Sequence, residues 1–96
     1  MSRSEHAAAF LHQTANDPAL TTNALAVAAV MADTITGYRP VAVTNWRKVW
    51  QASGLLRGET LDAVAELIAA RHIGQRQDAW NQTPGYPIRL HAGVLA

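Results

Sequence analysis

The 96-residue sequence predicts one mainly helical domain carrying a small β-hairpin. Three observations lead there. Apolar residues recur at three- and four-residue intervals through most of the chain, the mark of amphipathic helices. Asn16-Asp17-Pro18, Ser53-Gly54 and Pro84-Gly85 punctuate the pattern where turns are needed. Only the segments around 41–43, 75–80 and 86–91 read as strands. A content of 49% hydrophobic and 16% charged residues is that of a chain with a core to bury rather than of a disordered one.

The first helix is expected over residues 3–15, capped by Ser2 or Ser4, with Ala7, Phe10, Leu11 and Thr14 in one stripe. Phe10 and Leu11 are expected to be buried, and residues 1–16 form this N-terminal element. Asn16-Asp17-Pro18 ends it, because the residue before proline avoids helical dihedrals and proline suits a first turn. The second helix starts at Pro18 or Thr22 and reaches Thr36, with Gly37 closing it. Leu20, Ala24, Val27, Ala28, Met31 and Ile35 share one face, and Leu25, Ala29, Val30 and Ala32 fill much of the rest. A helix apolar nearly all round belongs at the centre.

Pro40-Val41-Ala42-Val43 reads as a brief strand. Thr44 or Asn45 then caps a short helix over 46–52, ended by Ser53-Gly54, with Trp46, Val49 and Trp50 on the core face and Arg47, Lys48 and Gln51 opposite. After the turn, a longer helix over 59–72 places Leu61, Val64, Leu67, Ile68 and Arg71 at helical spacing, with Leu61, Val64 and Ile68 facing inward. Glu59, Asp62, Ala63 and Glu66 are left to the outer face. The strand 75–80, the turn 81–85 and the strand 86–91 complete the hairpin, with Trp80 and Tyr86 flanking its turn.

Composition narrows function by exclusion. No cysteine is present, so disulfides, thiolate metal cages and cysteine nucleophiles are ruled out, and a reducing cytoplasm is the expected compartment. The four histidines (His6, His12, His72, His91) show no ligand spacing, and no metal or cofactor is expected. No phosphate loop, serine elbow or framed carboxylate pair can be assembled, so the chain is not read as an enzyme. The first residues lack the pattern of a signal peptide, and the apolar run 24–32 is about half the length of a membrane span, so no membrane partner is expected. Net charge is +1, yet Arg39, Arg47, Lys48 and Arg57 lie in a stretch from Thr34 to Gly58 that has no carboxylate. A local basic strip follows from that distribution.

Helix, strand, helix, turn, helix and hairpin is an element order with a family resemblance. Residues 20–91 resemble a winged helix-turn-helix domain with an extra N-terminal helix. The run Gly54-Leu55-Leu56-Arg57, followed by Thr60, Ala63-Val64, Leu67 and Arg71-His72-Ile73, is similar to the turn and recognition helix of plasmid and phage replication initiators and small bacterial regulators. Tyr86-Pro87-Ile88-Arg89-Leu90 resembles the returning strand of the wing. The resemblance implies a helix-turn-helix over 45–72 and a wing over 74–91. It implies double-stranded DNA as partner and a role in transcription regulation, replication or recombination, in a phage or mobile element. The residues that would meet DNA are Thr44, Asn45, Arg47, Lys48, Arg57, Glu59, Thr60, Arg76 and Arg89. A homodimer is expected through the first helix and the apolar tail 93–96.

Two features depart from the pattern. Trp50 stands where such motifs place alanine for close helix crossing, and the outer face of the recognition helix carries three acids that repel phosphate. The alternative is therefore a winged helix that docks a protein partner and not DNA.

Overall fold

The computed structural model describes residues 3–35, 41–43, 46–75 and 85–91. Outside them fall the Gly37 helix stop, the Thr44 and Asn45 cap, Arg76, Trp80, the turn of the hairpin and the apolar tail. The side chains of Trp46, Arg47, Lys48 and Trp50 also lie outside the described set, and with them the expected burial of the two indoles. The described chain is mainly helical: α1 (Arg3–Ala15), α2 (Thr22–Ala32), β1 (Val41–Val43), α3 (Trp46–Ser53), α4 (Arg57–Ala69) and β2 (Gly85–Pro87).

α2 occupies the middle, touching α1, α3, α4 and β1. Its alanines explain how: Ala24, Ala28 and Ala32 are buried beside Val27 and Met31, and their small side chains let neighbouring helices come close. The helix begins at Thr22, because Thr21 caps it by accepting the Ala24 N–H at 3.2 Å. Residues 17–20 instead form a turn, in which Asp17 Oδ1 accepts the Ala19 N–H at 2.9 Å. At the other end α2 stops at Ala32, short of Thr36. The Asp33, Thr34 and Ile35 amides all bond three residues back, and the Thr34 hydroxyl donates to the Met31 carbonyl at 2.7 Å, which tightens the last turn out of α-geometry. Ile35 stays buried all the same.

The inward stripe of α1 differs from the expected one at one member. Phe10 and Thr14 are buried and Ala7 packs against the core, but Leu11 is 40% exposed and Gln13 is buried instead. Thr14 tolerates this because its hydroxyl donates to the Phe10 carbonyl at 3.0 Å. Phe10 is thus unavailable for pairing two copies.

α4 is rotated by about one residue from the expected register. Thr60, Ala63, Val64 and Leu67 are buried, whereas Leu61 is 45% exposed and Ile68 only half-buried. Ala63 gives the alanine-rich surface of α2 a close seat, and Thr60 is buried at no polar cost because its hydroxyl donates to the Leu56 carbonyl at 3.0 Å. Bulk at Leu61 yields to that closer packing.

β1 and β2 pair antiparallel, with Val41 opposite Pro87, Ala42 opposite Tyr86 and Val43 opposite Gly85. On the far side of the same strand Ile73 bridges Ile88, with Gly74 N–H donating to the Pro87 carbonyl at 2.8 Å and Arg89 N–H to the His72 carbonyl at 3.0 Å. The segment 85–89 therefore runs between β1 and the segment 72–74. The expected hairpin placed its first strand at 75–80, but the described pairing on that side is at Ile73, and Gln75 is not in a strand.

α4 ends at Ala69, three residues before the expected His72. The His72 N–H donates to the Leu67 carbonyl and the Arg71 N–H to the Ile68 carbonyl, both at 3.0 Å, which is the paired closure of a Schellman motif. Arg71 carries the left-handed residue of that motif at φ +63°, where glycine is the unstrained choice. Replacing it, Arg71→Gly, should raise unfolding free energy by up to about 1 kcal/mol, measured by urea denaturation. A decrease in stability would mean that the Arg71 side chain contributes more than its backbone strain costs.

Candidate nucleic-acid interface

α3 and α4 are joined by a three-residue turn whose geometry is set locally. Gly54 adopts φ +73° with open space where a Cβ would stand, so it is there for its conformation and not for close packing. The Ser53 hydroxyl donates to the Val49 carbonyl at 2.5 Å and accepts the Leu55 N–H at 3.4 Å, binding the turn to the end of α3. Leu55 packs against the core, and Leu56, in extended conformation, opens α4.

The start of α4 is unusual in its cap. Leucine has no acceptor, so nothing from the N-cap side chain reaches the amides of the first turn. Glu59 makes the complementary half of a capping box, accepting the Leu56 N–H on Oε1 at 3.0 Å. The Gly58 and Glu59 amides meet no acceptor among the described residues. Arg57 occupies the first helical position and is exposed, and Gly58 beside it has open space in front of its backbone. The helix dipole adds partial positive charge at this end.

The other expected site residues are placed as follows. Arg47 and Lys48 lie on α3, one helix before this turn. Glu59 has a structural task at the N-terminus of α4. Thr60 is fully buried with its hydroxyl engaged, so it is a core residue and does not reach a groove. Arg89 is exposed at the exit of β2. Thr44, Asn45 and Arg76 lie outside the described residues. Of the three acids expected on the outer face of α4, Glu66 is also committed elsewhere: its two carboxylate oxygens accept the Thr21 N–H at 2.7 Å and the Thr21 hydroxyl at 2.8 Å. Glu66 thereby sits at the N-terminus of α2, as Glu59 does at that of α4, and each helix dipole offsets the carboxylate. Gly58, Leu61, Asp62, Ala65 and Ala69 make up the outer face that remains.

One polar cluster is not foreshadowed by any motif. Gln13 is buried at 6% exposure and His72 at 1%. Gln13 Oε1 accepts the His91 N–H at 2.6 Å, while its Nε2 donates to the Arg89 carbonyl at 2.9 Å and lies 2.8 Å from His72 Nδ1. Because an amide nitrogen only donates, His72 Nδ1 is the acceptor, and the ring proton sits on Nε2, 2.7 Å from Asp17 Oδ2. His91 stacks on His72 with ring centroids 4.9 Å apart and points Nε2 at the Arg71 carbonyl, 2.8 Å away. The cluster ties α1, the turn after it, the end of α4 and the strand leaving β2. Its one sequence signal is a glutamine on the same stripe as Phe10 and Thr14, a polar residue where periodicity asks for an apolar one.

Gln13→Leu would leave His72 Nδ1, the Arg89 carbonyl and the His91 amide without partners, and should cost roughly 2 to 4 kcal/mol in urea denaturation. The hydrogen bond from His72, and after it that from the Ala19 amide, hold the Asp17 carboxyl below the usual carboxylate range. A depressed folded-state value stabilises the fold above the unfolded carboxylate's pKa of roughly 4, and this contribution is lost as pH falls through the lower folded value. Asp17→Asn should accordingly flatten the acid limb of stability below about pH 4; an unchanged acid limb would assign it to other carboxylates. Comparison of the chain with protein-family models, with characterised proteins and with solved structures gives no match.

Proposed function

We propose that this domain is a winged helix-turn-helix that binds duplex DNA, with α4 as its recognition helix and the N-terminus of α4 as its principal phosphate contact. The order α2, β1, α3, turn, α4, followed by the central strand 85–89 between β1 and the segment at Ile73, supports the fold reading. The observation that carries the function is the start of α4. A leucine N-cap leaves first-turn amides without an acceptor among the described residues, glycine at the second position leaves their approach open, and Arg57 stands beside them. That is a receptive end for a phosphate oxygen. The acidity of α4 is the strongest argument against DNA; Glu59 and Glu66 keep their charge, but each is turned onto a backbone amide at a helix start, where the helix dipole partly offsets it. Arg47 and Lys48 on α3 and Arg89 after β2 supply further backbone contacts in this reading. The role is in transcription, replication or recombination of a phage or mobile element.

A second reading has its own observation. Leu56 is 73% exposed and Leu61 45% exposed, and with Ala65 and Ala69 they give α4 an outer face that is apolar rather than rich in hydrogen-bond donors. Such a face suits a protein partner or a second copy.

The two readings separate on one pair of variants. Leu56→Ser supplies the missing cap and should stabilise the fold by about 0.5 to 1 kcal/mol, and Gly58→Ala should add a few tenths to about 1 kcal/mol. Both should nevertheless weaken binding to mixed duplex DNA in low-salt fluorescence anisotropy, because each obstructs the amides that meet phosphate. Arg47→Ala with Lys48→Ala should weaken binding to all sequences alike and reduce the slope of log affinity against log salt by roughly 0.9 for each phosphate that is no longer neutralised. Stable variants that bind DNA as well as the parent chain would sink the phosphate assignment. Absence of binding by the folded parent chain would leave the protein-docking reading.

A further inference from the structure

A second cationic feature lies at the opposite end of α4, about 20 Å along the helix from Arg57 at 1.5 Å per residue. Here an open cavity of about 330 Å³ is lined by Ile68, Arg71, Ile73, Gly74, Gln75 and Arg89. Arg71, Gln75 and Arg89 are its polar lining residues, Ile68 and Ile73 its apolar ones, and no Asp or Glu lines it. Neither arginine side chain meets a carboxylate among the described residues.

Three further details bear on this corner. Arg71 keeps a left-handed backbone that glycine would adopt without strain, so retaining a long cationic side chain at this corner runs against local conformational preference. Gly74 forms the bed of Arg89: a Cβ at that position would lie 3.1 Å from Arg89 Nε, 3.4 Å from one terminal nitrogen and 2.8 Å from Pro87 Cγ. Absence of a side chain at Gly74 is what lets the guanidinium lie against the backbone. Three of the carbonyls at this end are occupied, those of Leu67 and Ile68 by the His72 and Arg71 amides and that of Arg71 by the His91 ring.

The geometry points to a binding site for a small organic oxyanion, a phosphate monoester with an apolar body, in the cavity between the end of α4 and the strand leaving β2. Arg71 and Arg89 would grip two phosphate oxygens by charge-assisted hydrogen bonds, Gln75 would donate to a third acceptor, and Ile68 and Ile73 would cover the apolar part. The site is separate from the N-terminus of α4 and stands whether or not that end binds DNA.

Phenyl phosphate is the probe, with inorganic phosphate and phenol as the two halves of its chemistry. Titrated into the full chain and followed by amide NMR, phenyl phosphate should shift the Gly74 and Gln75 signals and bind more tightly than either half. Arg71→Gly is the decisive variant, because glycine suits that backbone and the variant should fold at least as well as the parent chain. It should weaken phenyl phosphate binding roughly tenfold, as should Arg89→Gln, the drop expected on removing one charge-assisted hydrogen bond. DNA affinity should not change in Arg71→Gly. Equal affinity for phenyl phosphate in parent and variants, or no shift at Gly74 and Gln75, would overturn the site. So would a fall in DNA affinity in Arg71→Gly with no phenyl phosphate binding by the parent chain, which would make Arg71 a DNA backbone contact beside Arg89.

Discussion

The amide of Gln13 is the interaction on which the assembly of this domain turns. A buried primary amide must place both N–H bonds and its carbonyl oxygen, and here all are used: one N–H on the Arg89 carbonyl, one on His72 Nδ1, and the oxygen on the His91 N–H. The three partners lie far from Gln13 in the chain and meet it only on folding. In an interior of low dielectric, each of these groups would be costly if left alone. The network therefore does more than attach α1 to the rest. It sets the depth at which α1 lies, the ring orientation of His72, and the line taken by the chain as it leaves β2.

From that constraint the placement of the candidate site at the end of α4 follows. The closing turn of α4 is held by its own amides and by the His91 ring, which fixes where Arg71 projects. The strand 85–89 is held on one side by β1 and on the other by residues 72–74, which fixes Arg89 over Gly74. At the far end, α4 is positioned by Thr60, Ala63, Val64 and Leu67 packing under α2, and by Glu66 reaching to Thr21. One helix is thus fastened at its middle and its C-terminus, while its N-terminus is left with exposed glycine and arginine. That division places the packing contacts in the core, and the amides that meet no acceptor among the described residues at the surface.

Polar residues on helix faces have divided duties in this small domain. Glu59 and Glu66 look from their spacing like an acidic outer surface, yet each closes the start of a helix. Thr60 looks like a groove-facing hydroxyl and is instead folded back on the Leu56 carbonyl inside the core. Such self-satisfaction is what allows Thr60 to be buried without an external partner. On the outer face of α4 Asp62 is flanked by Leu61, Ala65 and Gly58, with Glu59 exposed at the start of the helix.

The sequence by itself determined the helical segments, the central place of α2 and the turn at Gly54, because hydrophobic periodicity, alanine content and a left-handed glycine act over a few residues. Phe10, Ala24, Val27, Ala28, Met31, Ile35, Val64 and Leu67 were legible as core for the same reason. The tertiary structure alone decided the rest. Whether Leu61 or Ala63 faces inward depends on how closely α2 approaches, and a difference of one residue, about 100° of helix rotation, is within what periodicity leaves open. The early ends of α2 and α4 came from hydrogen bonds that Thr34, Arg71 and His72 make in closing each helix. The pairing of β2 with β1, and the meeting of Gln13, Asp17, His72 and His91, join residues dozens of positions apart, and no local pattern encodes such a contact: it exists only once the hydrophobic core has brought those segments within hydrogen-bonding distance.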